Sequence, residues 1–351
     1  MPSPEKPGEF ERIRDIVASL PKGEGVIVGP GDDAAVLRPR VGRDLVVTTD
    51  AFVEGRHWRR ELLDRRAIGH RIAAANLSDL AAMAAAPRWA LVSTGAPESA
   101  DPDELREIES AMAAILHGEG AAVVGGNLAA TDGPAWFSVT LIGDVPRDGH
   151  WTRAGARAGD VLAVTGHPGR ASALLALATW TSPPSLAHAP LGLVEAFGNP
   201  ACRVRAATAM AKAGGVNAAI DLSDGLAGDL AHVCEASGVG AVVLERKLPD
   251  DPMLAQAARA LATLRSHAGS EPLPVSAPAL LEQFRFSPGD DYELLLAIAP
   301  GRFDACAEAA REAGTPLFRI GQFTPGVGSL VLQRVDGAEE PLPGRGYEHY
   351  R

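Results

Sequence analysis

AAIDLSDG (residues 218–225) reads as an apolar strand that stops on Asp221 and runs into a turn bearing Ser223, Asp224 and Gly225. The same grammar recurs along the chain: VIV before GPGDD (26–33), LVVTT before Asp50 (45–50), and AVV before GGN (122–127). A fifth acidic cluster, GDD at 289–291, precedes the apolar run YELLLAIA. Active-site groups gather at strand ends and in the loops that follow them. Asp79 stands apart, inside the helical stretch NLSDL.

The intervening segments supply the rest of the architecture. Apolar residues at 10, 13, 16, 17 and 20 predict a helix over 9–20. Asp64 is placed to cap a helix running to about residue 85, and DPDE at 101–104 starts another with a capping Asp, a Pro and a Glu three residues on. That helix ends near Gly118. Strands are expected at 26–28, 45–49, 88–94, 123–124 and 136–143. The turn-rich DVPRDG (144–149) places a domain boundary between 1–145 and 146–351. Beyond it, strands are expected at 161–165, 216–220, 240–244, 292–299, 317–320 and 329–333. Helices are expected at 168–180, 200–213, 224–237, 250–265 and 303–313, and loops at 183–190 and 266–278. Strands and helices mixed in both halves predict two α+β domains.

Composition narrows the function. A length of 351 residues suits two domains, and 46% hydrophobic with 22% charged residues argues against disorder. A formal charge of -11 disfavours a nucleic-acid binder or an anionic-membrane binder, both of which need a cationic face. Three separated cysteines, Cys202, Cys234 and Cys306, suggest neither a zinc site nor a disulfide framework. The start lacks the apolar core of a signal peptide, and no apolar run reaches the length of a membrane span, so the expected address is the cytoplasm. Only four lysines occur, and none follows a glycine-rich loop, which excludes a P-loop nucleotidase. HRD and DFG triplets are absent, so the protein-kinase set is missing too. GPGDDA formally fits a dinucleotide loop, yet two carboxylates would face the pyrophosphate and Pro30 has no amide donor.

Carboxylates repel phosphate when alone and bind it through divalent cations, because Mg2+ takes hard oxygen ligands and bridges protein to phosphate. A chain with few lysines and many loop aspartates suits polyphosphate chemistry of that kind. Candidate ligands are Asp32, Asp33, Asp50, Asp79, Asp221 and Asp224, with hydroxyls from Thr48, Thr49 and Ser223. Phosphoryl transfer needs mainly positioning and charge neutralisation, so no nucleophilic residue is required. A second reading stays open for each aspartate: Asp near Gly after a strand also serves as a turn former or helix cap, the reading for Asp101 and the alternative for Asp224.

GEFERI, GPGDDAAV, TTDAFVEGRHW, NLSDLAAM, VVGGN, TRAGARAGD, DLSDGL and GDDYELL follow one another from Gly8 to about Tyr350. In this order they resemble the thiamine-monophosphate kinases, members of the aminoimidazole-ribonucleotide-synthetase-like ATP-binding superfamily. The resemblance implies a two-domain α+β, PurM-like architecture. In it the sheet of 1–145 pairs across a homodimer into a barrel-like core and binds ATP and Mg2+, and a sandwich-like 146–351 completes the active site. It implies direct transfer of the ATP γ-phosphate to thiamine monophosphate, with several Mg2+ ions and no phosphoenzyme.

Carried over motif by motif, Asp33 resembles a metal and ATP contact. Thr48, Thr49, Asp50 and Asp79 resemble metal ligands, Thr48 through its carbonyl. Gly126 and Asn127 match a nucleotide-binding turn, and Asn127 also matches a metal ligand. Many members carry Asp-Thr where this chain has Asn127-Leu128, which lowers the charge at that metal site. Arg153 and Ser223 resemble ATP contacts, and Asp221 and Asp224 metal ligands. His57, Asp290 and Tyr347 match substrate contacts; an aromatic ring at Tyr347 suits a cationic thiazolium. The packing alternatives for these three are a surface histidine, a turn and a docked aromatic. Trp58, Trp89 and Trp136 read as packing residues. Within the superfamily, selenophosphate synthetase needs an N-terminal reactive Cys or selenocysteine, and the hydrogenase-maturation protein needs a C-terminal Cys. This chain has its first cysteine at Cys202 and ends GYEHYR. Another acceptor on the same scaffold, or a non-catalytic ATP or thiamine-phosphate binder, are the remaining alternatives.

Overall fold

The structure is a computed structural model that describes residues 17–18, 20–21, 23–30, 33–267 and 276–344. The expected helix over 9–20 lies for the most part outside these residues; Asp32 and Tyr347 lie wholly outside them. The chain divides into two compact units: residues 1–80 with 86–148, and residues 81–85 with 149–351.

In the first unit the elements run β1 (Val26–Val28), β2 (Val36–Leu37), β3 (Arg43–Val53), α1 (Arg65–Ala82), β4 (Ala86–Ala96), α2 (Pro102–Gly118), β5 (Ala122–Ala130) and β6 (Trp136–Pro146). β1 and β2 form a small antiparallel pair; the main sheet has the order β3-β6-β4-β5. β3 and β6 pair antiparallel from Arg43 opposite Pro146 to Val53 opposite Trp136. The sheet is sided, as alternation requires. Phe52, Phe137, Val139 and Leu141 are buried on one face, while Leu45 and Val47 are 50% and 60% exposed on the other. Helix α2 lays Leu105, Ile108, Met112 and Leu116 into the core. Its N-cap is Asp101, whose carboxylate accepts the Asp103 N–H at 3.0 Å, as its sequence predicts. Asp64 likewise accepts the Ala67 N–H at 2.8 Å at the start of α1.

The second unit contains β7 (Val161–Thr165), α3 (Arg170–Ala178), α4 (Leu191–Gly198), α5 (Val204–Ala213), β8 (Val216–Asp221), α6 (Leu226–Ser237), β9 (Gly240–Leu244), α7 (Pro252–His267), α8 (Ala277–Phe286), β10 (Leu294–Ile298), α9 (Phe303–Glu312), β11 (Leu317–Thr324), β12 (Leu330–Gln333) and β13 (Glu339–Pro341). Seven strands form one sheet in the order β13-β12-β9-β11-β7-β10-β8. Every residue of β7 and β10 is buried, so both sheet faces are covered there. Leu226, Leu230 and Val233 of α6 join Leu162, Val164 and Leu295 in the core.

Several elements differ from the sequence reading. β3 continues three residues past Asp50, which therefore lies inside a strand. Gly126 and Asn127 also lie inside a strand, because β5 runs on through the glycines; the expected turn is absent there. The strand tolerates them because β4 approaches closely: a Cβ at Gly126 would sit 2.0 Å from the Val92 carbonyl oxygen. Helix α6 starts at Leu226 behind Gly225 and has no capping side chain, so Asp224 is not its cap. Helices α4 and α8 were not expected. Helix α8 starts inside the expected loop 266–278, where Ser276 accepts the Ala279 N–H.

Candidate active site

In the first unit, the β3 alternation sends Thr48 and Asp50 to the half-buried face and Thr49 to the exposed one. The Thr48 hydroxyl donates to Asp79 Oδ2 at 2.5 Å, joining β3 to α1. Thr49 faces away from them, with its hydroxyl 3.1 Å from that of Thr140. The structure thus brings together Thr48 and Asp79, keeps Asp50 on their face of β3, and does not bring the Thr49 side chain to that group. His57 follows the strand in a tight turn. Its Nδ1 accepts the Val53 N–H at 3.0 Å and its ring meets Phe52 edge-on. Accepting at Nδ1 leaves a neutral ring with its hydrogen on Nε2.

Asp33, Gly126 and Asn127 meet at a different place, a cavity of about 650 Å3 whose walls also include Leu91, Met112 and Glu109. β5 and β3 are opposite edges of the four-stranded sheet. At the usual strand spacing they lie roughly 14 Å apart. Asn127 and Asp50 of one chain therefore cannot grip one small ion between them.

Glu109 was not anticipated. It is only 9% exposed. Its Oε1 accepts the Thr94 hydroxyl at 2.6 Å, and Oε2 has no hydrogen-bond partner among the described residues. Burial raises its carboxyl above the usual range, against the Thr94 hydrogen bond, which lowers it. The available signal was its place on the apolar stripe of α2, four residues after Leu105 and three before Met112.

In the second unit, Asp221 ends β8, and the turn that follows is held from beyond itself. Asp229 Oδ2 accepts the backbone N–H groups of Ser223 and Asp224, both at 3.1 Å. Asp229 is 1% exposed. Burial, and then the charges of Asp221 and Asp224, push its carboxyl up to about 8. Three carboxyl groups are therefore crowded at this turn. The loop before β10 is sewn to it: the Tyr292 N–H donates to the Leu222 carbonyl at 3.0 Å, and the Leu222 N–H donates to that of Glu293 at 2.7 Å. Tyr292 holds a left-handed backbone, φ 54°, between these bonds. Asp290 lies two residues before Tyr292, in the loop that these bonds tie to Leu222. Its neighbour Asp291 accepts the N–H groups of Gly169 and Ala171 at 2.6 and 2.9 Å. Burial raises Asp291 to about 7, with Glu293 and Asp290 adding repulsion.

Behind this loop, Glu293 pairs with Arg203 at 2.5 and 2.6 Å and accepts the Thr165 hydroxyl at 2.6 Å. Arg153 is exposed on a loop lying along β8: the Ala219 N–H donates to the Thr152 carbonyl at 2.9 Å, and Ser237 Oγ donates to the Arg153 carbonyl at 3.1 Å. Asp229, Asp291 and Arg203 escaped the sequence reading because their partners are distant in the chain or are backbone amides.

The donors fit Mg2+ in kind, being carboxylate, hydroxyl and carbonyl oxygens. Among the described residues no three His, Cys, Asp or Glu side chains are placed to hold a metal by themselves. That also fits, since Mg2+ beside a polyphosphate takes one or two carboxylates and completes its shell with phosphate and water. Asp221 and Asp224 lie close enough to Asp229 for their charges to repel it, a crowding that a cation would relieve. No helix among the described residues is long and apolar enough to cross a membrane.

Residues 31–145 match the family model described as AIR synthase related protein, N-terminal domain, and residues 157–332 match the corresponding C-terminal domain. The chain is 33% identical to the thiamine-monophosphate kinase of Caulobacter vibrioides over 328 residues, 93% of this chain and 87% of that one. Its fold matches the crystal structure of thiamine-monophosphate kinase from Stenotrophomonas maltophilia with a TM-score of 0.75 at 32% identity, covering 93% and 95% of the two chains. A structure described as AaThiL complexed with AMPPCP and TMP matches with a TM-score of 0.71 at 26% identity, covering 99% and 100%. With the two-domain PurM-like fold in place, these matches are decisive: the chain belongs to the thiamine-monophosphate kinase family of AIR-synthase-related proteins.

Proposed function

We propose that this protein transfers the γ-phosphate of ATP to the phosphate of thiamine monophosphate, releasing thiamine diphosphate and ADP. The observation that carries this reading is the stitching of the GDDY loop to the DLSDG turn through Leu222 and Tyr292, which ties one acidic loop to a second, carboxylate-rich turn. A cationic thiazolium suits Asp290 and the Nε2–H edge of His57 suits a phosphate oxygen. Tyr347 is proposed as the ring against the thiamine. We assign residues 1–145 to ATP and Mg2+ binding and to dimerisation, and 146–351 to completing the site.

Mg2+ would be held by oxygens of Asp33, Thr48, Asp50, Asp79, Asn127, Asp221 and Asp224, and when bound would neutralise charge on the transferring phosphoryl group. Thr49 has only its main chain to offer, since its side chain faces away. The apolar cavity beside Gly126 and Asn127 takes the adenosine of ATP. Arg153 and the Ser223 hydroxyl contact the ATP phosphates. The acceptor is itself a phosphate oxygen, a nucleophile ionised at neutral pH, so no side chain need act as general base and transfer is direct.

A second copy of the chain is the proposed partner. The exposed sheet face presents Leu45, Val47 and Leu91, apolar groups that a barrel-like dimer would bury. Laying edge β3 of one copy along edge β5 of its partner would also bring Asp50 to within reach of the partner's Asn127. We place the enzyme in the cytoplasm, where ATP is supplied and where Cys202, Cys234 and Cys306, none of which forms a disulfide, stay reduced.

The test is a product assay with ATP, Mg2+ and thiamine monophosphate, with chromatography of the thiamine species and quantification of ADP. Thiamine diphosphate and ADP in equal amounts, both abolished by EDTA, are expected. ATP binding without thiamine diphosphate would overturn the acceptor assignment.

A further inference from the structure

Asp229 is absent from every group of site residues that the sequence motifs define, yet it is the side chain on which the DLSDG turn hangs. It sits in the first turn of α6, where its own N–H donates to the Gly225 carbonyl at 3.0 Å. From there one oxygen, Oδ2, reaches back to the N–H groups of Ser223 and Asp224. Those two amides belong to the two residues that carry the turn's hydroxyl, Ser223, and second carboxylate, Asp224. The brace is also an expensive choice chemically. A buried carboxyl beside Asp221 and Asp224 is disfavoured by burial and by like charge. A serine or threonine could satisfy an amide without that repulsion. A carboxyl in this place makes sense where the neighbouring charges are drawn off by a cation and where the turn must not drift.

We propose that Asp229 is a positioning residue for the nucleotide–metal turn: by accepting both amides it fixes Ser223 and Asp224 in the geometry that receives Mg2+ and the ATP phosphates. The inference rests on the reading of Asp221, Ser223 and Asp224 as metal and ATP contacts. Asp229 itself touches neither ligand. Its action is on orientation, so its loss should appear in metal affinity before it appears in the maximal rate. Removal of a partner that orients a metal ligand typically costs about 10- to 100-fold in metal affinity or activity.

The experiment compares Asp229→Ala, Asp229→Asn and Asp221→Asn in the full chain. Three readouts are taken: calorimetric titration of Mg2+ in the presence of a non-hydrolysable ATP analogue, the Mg2+ dependence of turnover, and the melting temperature. Asp229→Ala should raise the Mg2+ half-saturation at least about 10-fold, recover most of kcat at high Mg2+, and leave the KM for thiamine monophosphate unchanged. Asp229→Asn keeps an acceptor oxygen and should return Mg2+ affinity close to that of the parent. If Asp229→Ala does not fold, Asp229→Glu carries the same test, since it keeps the charge and displaces the acceptor by one methylene.

A lower melting temperature with unchanged Mg2+ affinity in the folded protein would reduce Asp229 to a structural brace and overturn the proposal. An Asn variant as weak for Mg2+ as the Ala variant would overturn it too, since charge would then matter more than the acceptor. Asp221→Asn separates the two levels of the argument. If it binds Mg2+ normally, the metal reading of the turn fails. If it loses Mg2+ while Asp229→Ala does not, only the positioning role fails.

Discussion

Thr48 and Asp79 are joined by a hydrogen bond of 2.5 Å, hydroxyl to Oδ2, between the middle of β3 and the last turn of α1. The bond aims a carboxylate at the same face of β3 that carries Asp50. In this bond Asp79 is the acceptor, and Thr48 steers it.

The two residues should therefore fail differently when changed. Asp79→Asn removes charge needed in the transition state and should lower kcat/KM about 100-fold. Thr48→Val removes only the steering bond and should lower it about 10-fold. Melting temperatures should stay close to that of the parent, because both groups are only half-buried. A coupled ADP assay at saturating Mg2+ reads the outcome. An unchanged kcat for Asp79→Asn would remove it from the metal set.

The pair behind the GDDY loop tests a different link, from packing to site. Arg203 and Glu293 have side chains only 11% and 10% exposed. Thr165 and Thr315 complete their hydrogen bonding. Removing one member of such a pair strands the other and typically costs about 3–5 kcal/mol. Glu293→Ala and Arg203→Ala should each destabilise by about that amount in urea unfolding. Because Glu293 directly follows Tyr292, the KM for thiamine monophosphate should rise in the folded variants, and the KM for ATP should rise less. Equal rises would mean that the loop moves as one body with the DLSDG turn.

Glu109 gives a pH-dependent stability of definite sign. Its carboxyl is raised above the ordinary value of 4.5 by burial. Once pH exceeds that ordinary value, the unfolded chain gives up the proton while the folded chain keeps it. The folded state then binds more protons, so stability falls as pH rises until the folded group ionises as well. Glu109→Gln keeps shape and cannot ionise. Any fixed cost of the amide is independent of pH. The difference in melting temperature, variant minus parent, should move in favour of the variant between pH 4 and pH 8. A difference flat across that range would show that Glu109 ionises normally.

Much of this was legible along the chain. Asp221, Ser223 and Asp224 stood out because an apolar run stopping on a carboxylate is a local pattern, and the structure places them at such a strand end. Asp50 stood out for the same reason but lies inside β3, because AFV after it continues the alternation. Gly126-Asn127 read as a turn since glycine usually breaks strands; here the close approach of Val92 requires glycine within one. Helix α8 had a readable start, Ser276 followed by Pro278 near the first helical position, hidden inside a Pro-rich stretch. Glu293 and Arg203 were illegible because their meaning lies in each other, 90 residues apart. Asp229 was illegible because its partners are backbone amides, which carry no sequence signature.

The placement of Asp50 and Asn127 on opposite sheet edges leads to the sharpest test of the dimer. β3 and β5 flank the four-stranded sheet, with β6 and β4 between them. If one ion is to touch both residues, they must come from different copies. Asp50→Asn and Asn127→Ala should each be nearly inactive as pure dimers. Unfolded and refolded together, they should form mixed dimers in which one site carries both defects and the other carries none. Random pairing then restores about a quarter of the parent activity. If each chain held its own complete site, every site in the mixed dimer would keep one defect and no activity would return. Light scattering fixes the assembly state in the same samples. Leu45→Asp with Val47→Asp should abolish both the proposed dimer and the complementation, since two charges would then sit on the face assigned to the partner.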